Sequence, residues 1–121
     1  MKILNLTQHV ATQEQLVAGV FEPANKEEVR TLLTFTAVPT SADMTERAEA
    51  LARIVLDEKA EAAMIGGAPY FMSSLEKVLQ AMGIRLCYSF TERKTTETVD
   101  PTTGAVHKTQ VFVHSGWVWV E

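Results

Sequence analysis

A single cysteine, Cys87, is all the chain contains, so neither a disulfide framework nor a cysteine-ligated zinc site can be assembled within it. Such sparse use of thiols fits a reducing, cytoplasmic setting. Long apolar runs are missing as well: nowhere do about 18 apolar residues follow one another, and the opening stretch MKILNLTQHVATQ has too short an apolar segment for a signal peptide. Secretion and a membrane partner are both disfavoured. Basic charge is scarce, with 11 Lys and Arg against 15 Asp and Glu and a formal charge of -4. Proteins that coat DNA or RNA gain affinity by neutralising phosphates, so no long nucleic acid is expected as a partner, whereas one small anionic ligand in a local pocket is compatible with this balance. Familiar signatures are absent too: there is no GxGxxG, Walker or HExxH motif and no GxSxG elbow. His9, His107 and His114 are too dispersed for a metal motif, and no metal or cofactor is expected.

What is present is a composition able to build a core. Hydrophobic residues make up 46% of 121 residues, with a mean hydropathy of +0.02 and a mass of 13.4 kDa, which fits one domain over residues 1–121, folding alone or as a small oligomer. Ile3 to Leu6 reads as a buried strand ending at Thr7, Gln8 and His9. Thr12-x-x-Gln15 has capping-box spacing and precedes a short helix whose apolar side is Leu16, Val17 and Val20; Asn25-x-x-Glu28 repeats the signature ahead of a helix over about 26–34. Met44, Ala48, Leu51 and Val55 recur at helical spacing from Thr40 or Ser41 to Glu58. Ala62 to Ile65 is a second strand, closed by Gly66-Gly67-Ala68-Pro69, and Leu75, Val78, Leu79 and Met82 resume helical spacing up to Gly83. Ile84 to Tyr88 is a third strand. Strands separated by helices predict a parallel sheet with right-handed crossovers, a small Rossmann-like three-layer α/β domain. Beyond Ser89 the texture turns to Thr and alternating charge, and 100–104 reads as the turn of a C-terminal antiparallel hairpin. Along its second strand, alternation puts Val106, Lys108, Gln110, Phe112 and His114 on one face, with a bend at Ser115-Gly116 before Trp117 to Val120.

In an open parallel sheet, ligands bind beyond the carboxyl ends of the strands. Three segments reach that edge: Thr7, Gln8 and His9; Gly66, Gly67, Ala68 and Pro69; and Ser89, Phe90, Thr91, Glu92 and Arg93. Two residues lacking Cβ let the backbone approach a ligand, and the N-terminus of the next helix favours an anion; a tight strand-to-helix turn needs the same glycines. His9 is placed for proton transfer near neutral pH or for donation to phosphate, and a hydrogen-bonded imidazole is the plain alternative. His114 is a weaker candidate of the same kind. Arg93 and Lys94, with Lys108 across the hairpin, form a local basic cluster; an arginine fork suits phosphate, Glu92 can orient it, and the alternating signs equally suit a solvated ribbon. Trp117 and Trp119 share a face and read as core or subunit interface ahead of base stacking. Cys87 reads as a buried, inert thiol.

The run Ile84-Arg85-Leu86-Cys87-Tyr88-Ser89-Phe90-Thr91-Glu92-Arg93, the charged hairpin, Val106-x-Lys108, and Val111-Phe112-Val113-His114 before an aromatic strand resemble the small standalone CRISPR-associated proteins of type III systems, the CARF and ring-nuclease group. The resemblance spans roughly residues 60–120. It implies a compact Rossmann-like fold, a homodimer, binding of a cyclic oligoadenylate or other cyclic oligonucleotide at the strand ends, and, in the nuclease members, metal-independent cleavage. On that footing Gly66 and Gly67 supply backbone donors, Arg93 stabilises phosphate charge, Thr7, Gln8, Ser89 and Thr91 orient ribose or phosphate, and His9 transfers the proton. A sensor with the same pocket and no turnover, and an assembly protein that recruits another chain through the hairpin edge, are the competing expectations.

Overall fold

The computed structural model describes residues 1–121 and has the element order β1 (Ile3–Leu6), α1 (Gln13–Val17), β2 (Val20–Phe21), α2 (Lys26–Leu33), α3 (Ser41–Asp57), β3 (Ala62–Ile65), α4 (Pro69–Ala81), β4 (Arg85–Val99) and β5 (Val106–Trp119). It is an α/β structure built on one five-stranded mixed sheet of order β2-β1-β3-β4-β5. The first four strands of that order run parallel and β5 returns antiparallel to β4. The helices begin where side-chain caps can hold free N–H groups: Asn25 caps α2 through Glu28 N and Thr40 caps α3 through Asp43 N, while Pro69, which has no N–H to satisfy, opens α4.

Side chains alternate across the short strands, and the alternation sorts the core in two. Leu4, Leu6, Ala63, Ile65 and Leu86 face α2, α3 and α4 and join Val29, Leu51, Val55, Phe71, Leu75 and Leu79 in the larger cluster. Ile3, Ala62, Met64 and Cys87 face the other way and pack with Ala11, Val20 and the partly buried Trp117 and Trp119. The tryptophans are therefore core edge, with the Arg85 guanidinium 4.5 Å from the Trp119 ring centroid.

Two details differ from the sequence reading. Val20 belongs to β2, pairing with Ile3, and not to the apolar side of the preceding helix: Gly19 turns the chain at φ 107°, where a Cβ would run into the Met1 carbonyl. The first helix also buries a different face. Leu16 and Val17 are exposed, and the residue it buries is Gln15.

The third strand does not stop at Tyr88. After Cys87, β4 loses its parallel neighbour β3 and continues with β5 alone to Val99. The result is a two-stranded ribbon, closed by a turn in which Asp100 O accepts from Gly104 N at 2.8 Å and Asp100 N donates to Ala105 O at 2.8 Å. Every residue from Phe90 to Val99 and from Pro101 to Phe112 is exposed. No helix is long and apolar enough to cross a membrane.

Candidate functional site

The carboxyl ends of β1, β3 and β4 converge on one crevice. Thr7, Gln8, His9, Val10, Thr12, Gln15, Met64, Ile65, Gly66, Gly67, Tyr88, Ser89 and Thr91 line a hollow of about 410 Å³. All three segments expected at the strand ends contribute, and no carboxylate is among the lining residues. In a chain with 15 Asp and Glu, that exclusion leaves a lining of hydroxyls, amides, glycines and one imidazole. Larger hollows lie elsewhere: the apolar one walled by Phe35, Val38, Met44 and Tyr70 holds none of these residues, and the one along α4 shares only Gly67 and Tyr88 with the crevice and includes the Glu76 carboxylate.

Each wall has its own means of support. On the first, Asn5 is fully buried within β1 and acts as a splint. Its Oδ1 accepts from Thr7 N at 3.0 Å and from Thr7 Oγ1 at 2.7 Å, and its Nδ2 donates to His9 O at 2.8 Å and to Glu22 Oε1 at 2.9 Å. Glu22 in turn accepts from Ala11 N at 2.7 Å and pairs with Lys26 at 3.2 Å. Lys26 Nζ donates to Thr7 O and His9 O. Partial burial works against the Glu22 charge, but the Ala11 N–H, Lys26 and Asn5 together outweigh it and hold the carboxyl below its ordinary range. The loop from Thr7 to Ala11 is thus fastened through its backbone, which leaves the His9 side chain to the crevice. Gln8 also lines it, although its Nε2 is engaged by Thr34 Oγ1 at 3.0 Å.

The second wall is the glycine turn into α4. Gly67 takes φ 155°, and a Cβ there would press on Met72 Cε at 3.3 Å; Gly66 would meet only an ordinary contact with Thr7 Cγ2 at 3.4 Å. The N–H groups of Gly67 and Ala68 have no acceptor within the chain, so they stand available at the start of a 13-residue helix.

The third wall is the edge of β4. Ser89 Oγ lies 2.6 Å from His114 Nδ1 and accepts from Gln15 Nε2 at 3.1 Å; the His114 ring packs on Trp117 with centroids 4.3 Å apart. Strict alternation would put His114 and Trp117 on opposite faces of their strand. A bulge prevents it: Phe90 pairs with Gly116 but Thr91 pairs with His114, leaving Ser115 as an extra residue. That one residue turns His114 to the side of Ser89. Tyr88 closes the floor, donating to Glu76 Oε2 at 2.7 Å, with burial first and the Glu76 carboxylate second pushing its phenol well above the ordinary range.

Glu92, Arg93 and Lys94 do not line the crevice of their own chain. They stand on the ribbon, opposite Val113, Phe112 and Val111. Arg93 lies over the Phe112 ring at 5.3 Å, and Lys108 pairs with Glu97 at 3.7 Å instead of joining a basic cluster. Cys87 is fully buried beside the sheet, and desolvation pushes its thiol up to about 11 despite the Arg85 charge, as expected of an unreactive residue. No three His, Cys, Asp or Glu side chains converge. Sequence reasoning missed Asn5, Glu22 and Lys26, although an asparagine inside the apolar run Ile3 to Leu6 is itself a sign of a buried hydrogen-bonding task. It also gave Gln15 only a capping role.

Comparison with known proteins adds a family but no activity. No curated protein and no solved structure matches the chain. A family model described as the Uncharacterized protein MJ1673 family matches residues 1–118, nearly the whole length, and the chain belongs to that family.

Proposed function

We propose that the protein binds a cyclic oligoadenylate second messenger in a crevice shared by two copies of the chain and opens the ring without a metal, as a Rossmann-like relative of the CARF and ring-nuclease group. The observation that carries this reading is the carboxylate-free crevice at the strand ends, with unpaired N–H groups on one side and hydroxyls and an imidazole on the other. Those are the donors that a phosphodiester and its ribose require, gathered at the position where open sheets bind ligands.

A hollow of about 410 Å³ is at the small end of ligand sites and suits part of such a ring. A ring of four adenylates has two-fold symmetry, so a two-fold dimer would present the same residues to each half. Ring opening then needs the ribose 2′-hydroxyl held in line with the neighbouring phosphorus, where positioning and charge stabilisation supply most of the rate. Gly66 and Gly67 present backbone donors, Thr7, Gln8, Ser89 and Thr91 orient ribose and phosphate, and His9 transfers a proton. Arg93, flanked by Glu92 and Lys94, stands outside its own crevice, so in this reading the ribbon of one copy brings it to phosphate held by the other.

Incubation with cyclic tetra-adenylate and cyclic hexa-adenylate in excess EDTA, followed by chromatography and a melting curve, tests the reading. Linear products support it; a raised Tm with an intact ring supports a sensor instead. Arg93→Ala should weaken binding, and His9→Ala should lower kcat more than it changes KM. Full turnover by both variants would discard these roles. A second reading, a module that recruits another chain, is favoured by one observation: the ribbon exposes Val99, Val106 and Phe112 at 55–65%. It prevails if neither ring changes the Tm nor is consumed.

A further inference from the structure

The capping box of α1 decides which atom of Gln15 faces the Ser89 hydroxyl. Thr12 N donates to Gln15 Oε1 at 3.0 Å and Gln15 N donates to Thr12 Oγ1 at 3.2 Å. The amide oxygen of Gln15 is therefore turned back to the helix start, and its nitrogen faces Ser89 Oγ at 3.1 Å. An amide nitrogen only donates, so Ser89 Oγ is the acceptor in that bond. Its own hydrogen is thereby free for His114 Nδ1, 2.6 Å away, and in the arrangement where it is donated there the neutral imidazole carries its proton on Nε2. A hydroxyl held by a donor on one side and an imidazole lone pair on the other is set up to take a proton as it releases its own.

Location matches that chemistry. Ser89 lines the crevice; His114 lies behind it, on a shallow groove shared with Gln13, Glu14, Val17 and Trp117. The titratable group of α1 that shares this groove with His114 is Glu14; β4 places Ser89 and Thr91 beside the imidazole, and β5 brings the Trp117 ring.

We propose that Ser89 is the catalytic residue that removes the proton from the attacking 2′-hydroxyl, with His114 as the positioning residue that orients the Ser89 proton and receives it. This rests on the ring-opening function proposed above and supplies the base that a lone His9 leaves unfilled. As the 2′-hydroxyl proton passes to Ser89 Oγ, the Ser89 proton passes to His114 Nδ1. The bond from O2′ to phosphorus forms, the bond from phosphorus to O5′ breaks, and O5′ takes a proton from protonated His9. The products are a 2′,3′-cyclic phosphate and a 5′-hydroxyl; His114 returns its proton to His9 through water, so no oxidant, metal or further reactant is consumed.

The test is the pH dependence of cyclic tetra-adenylate opening in EDTA by the wild type, Ser89→Ala, His114→Gln and the double variant. The wild-type rate should fall on the acid side, as protonation of the His114 imidazole removes the lone pair that receives the Ser89 proton. Each single variant should lose on the order of 10²-fold in kcat with little change in KM, His114→Gln should flatten the acid limb, and the double variant should be no slower than Ser89→Ala because the two act as a unit. ¹⁵N spectra of the free protein give a readout independent of substrate: His114 should carry its proton on Nε2, and Ser89→Ala should shift its Nδ1 resonance. A wild type that leaves the ring intact sinks the ring-opening function, and this inference with it. Cleavage that His114→Gln leaves unaltered in rate and pH profile, or a His114 protonated on Nδ1 in the neutral state, overturns this inference alone.

Discussion

The body of the molecule and its ribbon are built by opposite means. In the body, four parallel strands of two to four paired residues each are sealed by helices, and side chains such as Leu4, Leu51, Leu75 and Leu79 are wholly out of water. In the ribbon, two strands run paired from Ser89 to Val99 and from Val106 to Trp117 with almost no burial. Hydrophobic area removed from water stabilises the body; the ribbon relies on ladder hydrogen bonds and cross-strand pairs, and a hairpin alone in water is marginal. A long, unburied arm on a small acidic body therefore points to work done outside the body. The crevice lies at the junction of the two, with its first two walls in the body and its third at the root of the ribbon.

The contrast can be broken most readily in the body. Phe71→Ala empties a fully buried position that also packs edge-on against Phe35, with centroids 5.2 Å apart, and should cost about 3–5 kcal/mol in denaturant unfolding; a loss below 1 would show that the larger cluster is not what holds the sheet. Asn5→Ala leaves Thr7 N without its partner and takes one of the donors from His9 O, and should cost about 1–3 kcal/mol, with altered amide resonances through the Thr7 to Ala11 loop. The Glu22 carboxyl is held low in the folded state, so its contribution is complete above the ordinary carboxylate range near pH 4.3 and is lost as pH falls through the lower folded value. Glu22→Gln should cost about 1 kcal/mol at neutral pH and remove part of the acid sensitivity seen in Tm between pH 5 and pH 2. Equal acid profiles for the two proteins would refute the role given to that carboxylate.

The ribbon should answer weakly to the same measurements. Deleting Thr96–Val99 together with Val106–Thr109, which keeps the turn and the pairs nearest the body, should change unfolding free energy by less than about 1 kcal/mol. A collapse of stability would mean that the arm is part of the folding unit. Phe112→Ala should fall within about 0.5 kcal/mol, since the ring is exposed and its contact is the exposed Arg93.

The sequence made the body legible because local signals there agree with one another. Capping residues Thr12 and Asn25, the apolar runs at 3–6 and 62–65, and Pro69 after two glycines all mark element ends that the structure places within a residue or two. Thr7, His9, Gly66, Gly67, Ser89 and Thr91 follow as crevice residues from strand order alone. Three things were not readable. β2 is two residues long, too short for any period to declare it. The placement of Glu92, Arg93 and Lys94 away from the crevice depends on how far β4 outruns β3, a length that the sheet and not the strand determines. The meeting of Ser89 with His114 depends on a register shift that alternation counting cannot register, since counting assumes that none occurs.

Ser115 is that shift, and it makes one position on the arm a place where chain length and pairing are independent. A related chain lacking a residue at 115 would keep Thr91 opposite His114 and every partnership farther out, while losing one elsewhere from a single strand would turn the outer arm over. Alignment gaps among relatives at this point would then mark preservation of the arrangement, not its decay.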